Sequence, residues 1–219
     1  MAEISASLVM KLRQDTGAGI VDCKAALTET AGDYQKALEY LEIKKKAKAA
    51  KKADRIAAEG LVHSYIHQGG RIGVLCEINI ETDFAAKSPG FIDFVKDVCL
   101  HIAATGPQFV SADEVPESLK AQRREVFRQQ TIEEGKPEKM LEKITEGKLE
   151  KWLKEIVLLD QSFVKNPELT VRAHLERTTG EIGEKISIRR FARFELGEGM
   201  EKRKDNFAEE VAAQAGGAH

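Results

Sequence analysis

The sequence has little of what marks catalysis, metal binding or a membrane. Only three of its 219 residues are cysteine, and Cys23, Cys76 and Cys99 are widely separated, with no CxxC pair among them. Each falls in an apolar periodic segment, which reads as reduced thiols in an intracellular protein. No run approaches the ~18 apolar residues that a spanning helix needs. The opening MAEISASLVMK lacks both an apolar signal segment and an Arg-rich transit segment, so a soluble, cytoplasmic chain without membrane partners is expected. An excess of charge of one sign is also missing. Lys+Arg total 34 against Asp+Glu 36, a formal net charge of −2, which leaves no global basic field for gripping nucleic acid.

The familiar chemical motifs are absent as well. His63 and His67 lie four apart on an expected strand, where ~3.3 Å per residue separates them by about 13 Å, too far to chelate one ion. Thr16-Gly17-Ala18-Gly19 lacks the GxxxxGK[ST] pattern and follows a helix, so it reads as a helix cap and tight turn. No GxSxG and no Ser/His/Asp order stands out, and the Glu/Lys pairs at i, i+4 are ordinary solvated helix faces. Trp152, the only tryptophan, falls in KLEKWLKEIVLL at helical spacing with Ile156 and Leu159, which points to packing between helices. The expectation is a protein with no catalytic residues, no metal ligands and no cofactor.

What is present is a 42% hydrophobic chain, enough to bury a real core. Residues 1–43 read as a miniature three-helix module. Ile4, Leu8 and Leu12 recur at i, i+4, i+8 with Ser5 as candidate cap; Ile20, Val21, Lys24 and Leu27 restart the pattern; Tyr34, Ala37, Leu38 and Leu41 give a third stripe. Residues 44–58 read as a basic linker helix, because KKKAKAAKKADR is Ala-rich and holds six Lys and one Arg against one Asp. Its charges fit either a solvated linker or a contact with RNA or the ribosome, and no aromatic is interleaved to stack on bases.

From residue 59 onward the pattern is that of an α+β core, a small antiparallel sheet covered by helices. Leu61 to His67 and Arg71 to Glu81 form a hairpin around Gln68-Gly69-Gly70. On the returning strand Ile72, Val74, Cys76, Ile78 and Ile80 point to one face. A third strand, KISIRRFARFEL, is expected to carry Ile186, Ile188, Ala192, Phe194 and Leu196 on one face and Ser187, Arg189, Phe191 and Arg193 on the other. Between them the chain reads as helices at 91–104, 116–134, 137–146, 149–160 and 168–178, punctuated by Gly135-Lys136-Pro137 and Gly147.

The segment ETDFAAKSPGF, residues 81–91, breaks the strand pattern with a carboxylate and a bulky aromatic, before Ser88-Pro89 opens a helix. Phe84 could tuck under its own helix as a staple or reach outward to a partner, and periodicity alone does not choose.

SLVMKLRQDTGAGIVDCKAAL at 7–27, ETDFAAKSPGF and the closing GEKISIRRFARFELGEGMEK occur in that order and together resemble the bacterial translation elongation factor Ts family. The resemblance implies a guanine-nucleotide exchange factor that releases GDP from the GTPase elongation factor Tu, with a ubiquitin-associated-like N-terminal module against the partner's nucleotide domain. It implies contacts from Leu12, Ile20 and Val21, the last two standing where the family usually has methionines. It also implies that Thr82, Asp83, Phe84 and Ala85 dislodge the partner's Mg²⁺ and disturb its phosphate-binding region; Ala85 is smaller than the family's usual residue there. Longer members carry two related core modules, whereas YIHQGGRIGVLCEINIETDF looks like the single-module form, which implies a homodimer. Residues 135–166 resemble the family's projecting helical hairpin, and 198–219 form a C-terminal tail. The rival reading is an RNA- or ribosome-binding protein using residues 44–55.

Overall fold

Ser5 Oγ accepts the Leu8 N–H and starts α1 (Ala6–Thr16); Gly17, at φ 65°, stops it by donating its N–H to the Arg13 carbonyl. The chain turns through Ala18 and Gly19 into α2 (Ile20–Glu29) and then α3 (Tyr34–Ala50). Val9, Leu12, Cys23, Ala26, Leu27, Ala37 and Leu41 close a small core between these three helices. The computed structural model describes residues 4–50, 52 and 54–200 of the chain; most of the tail expected at 198–219 therefore lies outside the described residues. Helix α3 does not end at residue 43. It runs on through Ala50, so the first half of the basic stretch belongs to the third helix of the module, where its Ala and Lys have high helix propensity.

Lys44 pairs with Asp22 at 3.0 Å, within the module. Lys45 reaches beyond it: its Nζ donates to the Thr16 carbonyl inside the module at 2.5 Å and to Glu181 outside it at 3.0 Å. Glu181 lies on α8 (Val171–Ile182) and is also bonded by Arg177 at 2.9 Å. The module thus docks on the core through a carboxylate shared by Lys45 and Arg177.

The core is built on a three-stranded antiparallel sheet in the order β1–β2–β5, from β1 (Glu59–Ile66), β2 (Ile72–Ile80) and β5 (Ile186–Glu195). The alternation on β2 comes out as expected. Val74, Cys76, Ile78 and Ile80 are buried against Phe91, Phe94, Val95, Val98 and Ile102 of α5 (Pro89–Thr105), with Leu175 and Ile182 of α8 packed beside them. Gly60 opposite Asn79 is obligatory: a Cβ there would lie 2.2 Å from the Ile78 carbonyl oxygen. Within this core the Cys99 thiol and burial together push the Cys76 thiol up, so it stays protonated.

The third strand departs from strict alternation. Glu77 pairs with Arg190 and Ile78 with Ile188, so a bulge leaves Arg189 as an extra residue and reverses the faces beyond it. Ile186 and Ile188 face the core, but so do Phe191 and Arg193; Ala192 and Phe194 turn outward, the reverse of the period-two expectation.

The helical block also differs. Gly147 does not break the chain: α7 (Glu138–Ile156) runs through it, at the ~1 kcal/mol that glycine costs in a helix interior. The arms of the helical hairpin are therefore α6 (Glu117–Glu133) and α7, not two halves of 135–166. They are tied by Arg124–Glu146 at 2.6 Å, with Arg123 lying 5.5 Å over the Trp152 ring. The stretch expected as one helix at 168–178 begins instead as β4 (Asn166–Thr170), paired with β3 (Ser162–Phe163), before Thr170 caps α8. Between hairpin and sheet, buried His101 donates from Nε2 to Gln161 Oε1 (2.8 Å) and accepts the Val164 N–H at Nδ1 (3.2 Å). Burial pushes its pKa down, which keeps the ring neutral in this network.

Candidate functional site

Beyond Ile80 the β2 backbone leaves the sheet, and Thr82 becomes the cap of a single helical turn, α4 (Asp83–Ala86), its Oγ1 accepting the Ala85 N–H at 3.2 Å. A turn this short is not stable by itself, since one turn fixes three residues for a single bond. It is anchored by burying Ala85 and Ala86 in the main core and by running directly into α5, which Ser88 caps and Pro89 begins. Ala85 is therefore not presented to a partner; its small side chain lets the turn sit down on the sheet.

With Ala85 and Ala86 facing inward, the helical period sends Phe84 outward. Its ring is 85% exposed and does not fold back as a staple. Asp83 beside it is exposed and pairs with Lys87 at 2.9 Å, whose ammonium holds the Asp83 carboxyl below its ordinary range. The result is an exposed aromatic next to an ionised carboxylate.

The base of this turn is braced from the other side of the sheet. Glu81 accepts the Lys185 N–H at 2.6 Å and faces Arg55 at 3.3 Å; these contacts hold its carboxyl below the usual value. Glu184 accepts the Thr82 N–H (3.0 Å) and the Thr82 hydroxyl (2.8 Å). Both glutamates lie in the stretches that carry the family resemblance, but periodicity singles out neither; only the closing of β2 against β5 brings them together.

The three N-terminal candidates separate by exposure. Val21 is 82% and Ile20 49% exposed on the first turn of α2, just past the Thr16–Gly19 turn, and they form an apolar tip. Leu12 is 0% exposed and fills the module's own core against α2 and α3. It cannot touch a partner while the module is folded, because the i, i+4 stripe that made it conspicuous is the stripe that packs inward.

A second apolar surface went unread in the sequence. Val62, Ile66, Leu75 and Phe194 all project from the face of the sheet that α5 does not cover, and Gly73 lies between Ile66 and Phe194 in the register. At its edge Glu77 is clamped by Arg189 (2.6 Å) and Arg190 (2.7 Å), both on the outer side because of the bulge. Alternation on β1 could have shown Val62 and Ile66, but Phe194 needed the bulge. Among the described residues no group of three or more His, Cys, Asp or Glu side chains could hold a metal ion, and no helix is long and apolar enough to cross a membrane.

A family profile described as Elongation factor TS matches residues 27–198. Elongation factor Ts of Alkaliphilus metalliredigens is 57% identical over 211 residues, spanning 96% of this chain and 98% of that protein. Elongation factor Ts of Desulforamulus reducens is 55% identical over 98% of this chain and 99% of its own, and that of Geobacter sulfurreducens 54% identical over 97% and 99%. The matched residues include the sheet, the capped turn with Phe84 and the bracing glutamates. The chain belongs to the elongation factor Ts family, the guanine-nucleotide exchange factors that act on elongation factor Tu in translation elongation.

Proposed function

We propose that exchange is driven from two exposed apolar points, Phe84 on α4 and the Ile20/Val21 tip of α2, with no catalytic group of this chain taking part. The observation that carries this reading is the 85% exposed Phe84 ring on a capped and braced turn. A large aromatic held in water is costly unless a partner buries it, and aromatic anchors supply ~2–4 kcal/mol at interface hot spots. Entering the partner beside its nucleotide site, the ring and the Asp83 carboxylate displace the Mg²⁺ that the partner holds and disturb its phosphate-binding region. Nucleotide and exchange factor need not compete for the same atoms. Each disfavours the conformation that the other prefers, and the coupling is reciprocal, so GTP rebinding expels the factor. Ile20 and Val21 add a second contact through the N-terminal module. Direct nucleic-acid binding by residues 44–55 is not part of this reading, because Lys44 and Lys45 are already paired with Asp22 and Glu181.

The test is catalytic turnover: the chain, at one-tenth the concentration of elongation factor Tu loaded with labelled GDP and in the presence of excess unlabelled GTP to expel it, should accelerate release of all the label. Release limited to one-tenth of it would mean simple complex formation and would contradict exchange.

The chain acts in the cytoplasm as a homodimer, the second copy covering the open sheet face around Val62, Ile66, Leu75 and Phe194. Soluble monomers rarely leave so contiguous an apolar patch in water, and a two-fold axis through a sheet face satisfies it with the same residues twice. The expected result is sedimentation at micromolar concentration at twice the 24.3 kDa of the single chain. Phe194→Glu, which places a charge in the patch at a position 71% exposed in the single chain, should give the single-chain mass with the fold retained. A parent chain that sediments as a monomer would rule this out.

A further inference from the structure

We infer that Glu184 is the positioning residue that aims the Phe84 ring, an inference that rests on the reading that Phe84 enters the partner. The argument starts from what fixes the ring's direction. At 85% exposure Phe84 has almost no packing of its own, so its direction follows from the backbone of α4, a single turn. That turn has buried anchors at its C-terminal end, Ala85 and Ala86. Apart from the solvent-exposed Asp83–Lys87 pair, its N-terminal end is held through Thr82, and Thr82 is held by Glu184.

The β2–β5 ladder ends with Ile80 opposite Ile186. One step further, two residue pairs interlock through their carboxylates. Glu81 accepts the Lys185 N–H, and Glu184 accepts both the Thr82 N–H and the Thr82 hydroxyl. The sheet is thereby extended past its last rung by side chains. Gly183, at φ 89°, makes this possible: it ends α8 in the left-handed region and swings the next residue, Glu184, across to the end of β2. Thr82 is then bonded on both sides, its Oγ1 donating to Glu184 while accepting the Ala85 N–H of the turn it caps. Charge-assisted bonds of this kind are short and directional, which suits a clamp on an exposed element. Releasing Glu184 leaves the cap in place but frees it to rotate, and the ring moves with it.

The experiment compares Phe84→Ala, Glu184→Ala, Glu184→Gln and the double variant Phe84→Ala/Glu184→Ala. Labelled-GDP release from elongation factor Tu is measured as a function of factor concentration, with the thermal midpoint of each variant alongside. Glu184→Ala should lower the maximal release rate about tenfold, as misorientation of an acting group does, with the half-saturating concentration within about threefold of the parent. Glu184→Gln should recover most of that rate, because its amide oxygen still accepts the Thr82 N–H and its NH₂ donates to the Thr82 oxygen. In the Phe84→Ala background, Glu184→Ala should do nothing more, since a brace has no effect once the ring is gone. A parental rate for Glu184→Ala beside a slow Phe84→Ala overturns the inference and leaves the Phe84 reading intact. So does a Gln variant as slow as Ala, or equal losses from Glu184→Ala with and without the ring; either would mean that the carboxylate's charge acts on the partner directly. A parental Phe84→Ala overturns the Phe84 reading and this inference with it.

Discussion

Phe84→Ala should slow GDP release from elongation factor Tu by about thirtyfold or more while leaving the fold of the free chain unchanged. The rate estimate takes the lower end of what a buried aromatic anchor supplies, ~2 kcal/mol, at about 1.4 kcal/mol per factor of ten. The stability estimate follows from exposure. A ring that is 85% in water leaves no cavity when removed, so the loss should stay below about 1 kcal/mol, a shift of the midpoint within about 4 °C. Phe91, seven residues on, is the built-in contrast: it is fully buried under the sheet, and Phe91→Ala should cost ~3–5 kcal/mol. Asp83→Asn should slow exchange less than Phe84→Ala, because it keeps the side chain's size and leaves the inserting ring in place. The readout is the release rate per folded molecule beside the melting curve. A Phe84→Ala chain that melts many degrees lower yet exchanges normally would return the ring to the status of a staple.

Leu12→Ala should be the most damaging substitution in the N-terminal module, and for a reason unrelated to contact with a partner. Leu12 is fully enclosed by α1, α2 and α3, and Leu→Ala at such sites costs ~2–5 kcal/mol. A unit of this size has little stability to lose, so the expected outcome is local unfolding of the module with the sheet core intact. Amide hydrogen exchange should then accelerate throughout α1–α3 while β2 and α5 stay protected, and exchange activity should fall because the Ile20/Val21 tip no longer exists. Val21→Ala makes the opposite prediction: unchanged protection, with any loss confined to activity. Should Leu12→Ala slow GDP release while α1–α3 keep parental protection, Leu12 would have to contact the partner in some rearranged module.

These two residues also show how far the sequence could be read. The strands of the sheet and the caps at Ser5, Thr16–Gly19 and Ser88 were legible because each depends on local chemistry: period-two burial, side-chain oxygens at helix starts, glycine at helix ends. Leu12 and Phe84 were not separable that way. Both are large apolar residues, and only the three-dimensional packing tells an inward stripe from an outward tip. The same holds for Ala85, which is buried with Ala86 although Asp83 and Phe84 just before it are exposed. Gly147 misled because glycine punctuates chains on average, whereas here the contacts of α6 along α7 offset its cost. The bulge at Arg189 was invisible because the sequence ISIRRFARF keeps a plausible alternation on either side of it. Glu81 and Glu184 are 103 positions apart, and no local rule could have joined them.

Trp152 gives the molecule an optical property of its own. The indole, the single one in the sequence, is packed by Ile156, Val157 and Val115 beneath the Arg123 guanidinium, where the α6–α7 hairpin meets the rest of the core. Intrinsic emission excited at the indole band therefore reports the seating of that hairpin and nothing at the Phe84 turn or the Ile20/Val21 tip. A spectral change on mixing with a tryptophan-free partner would signal that the hairpin itself has shifted, a motion separate from insertion of the ring.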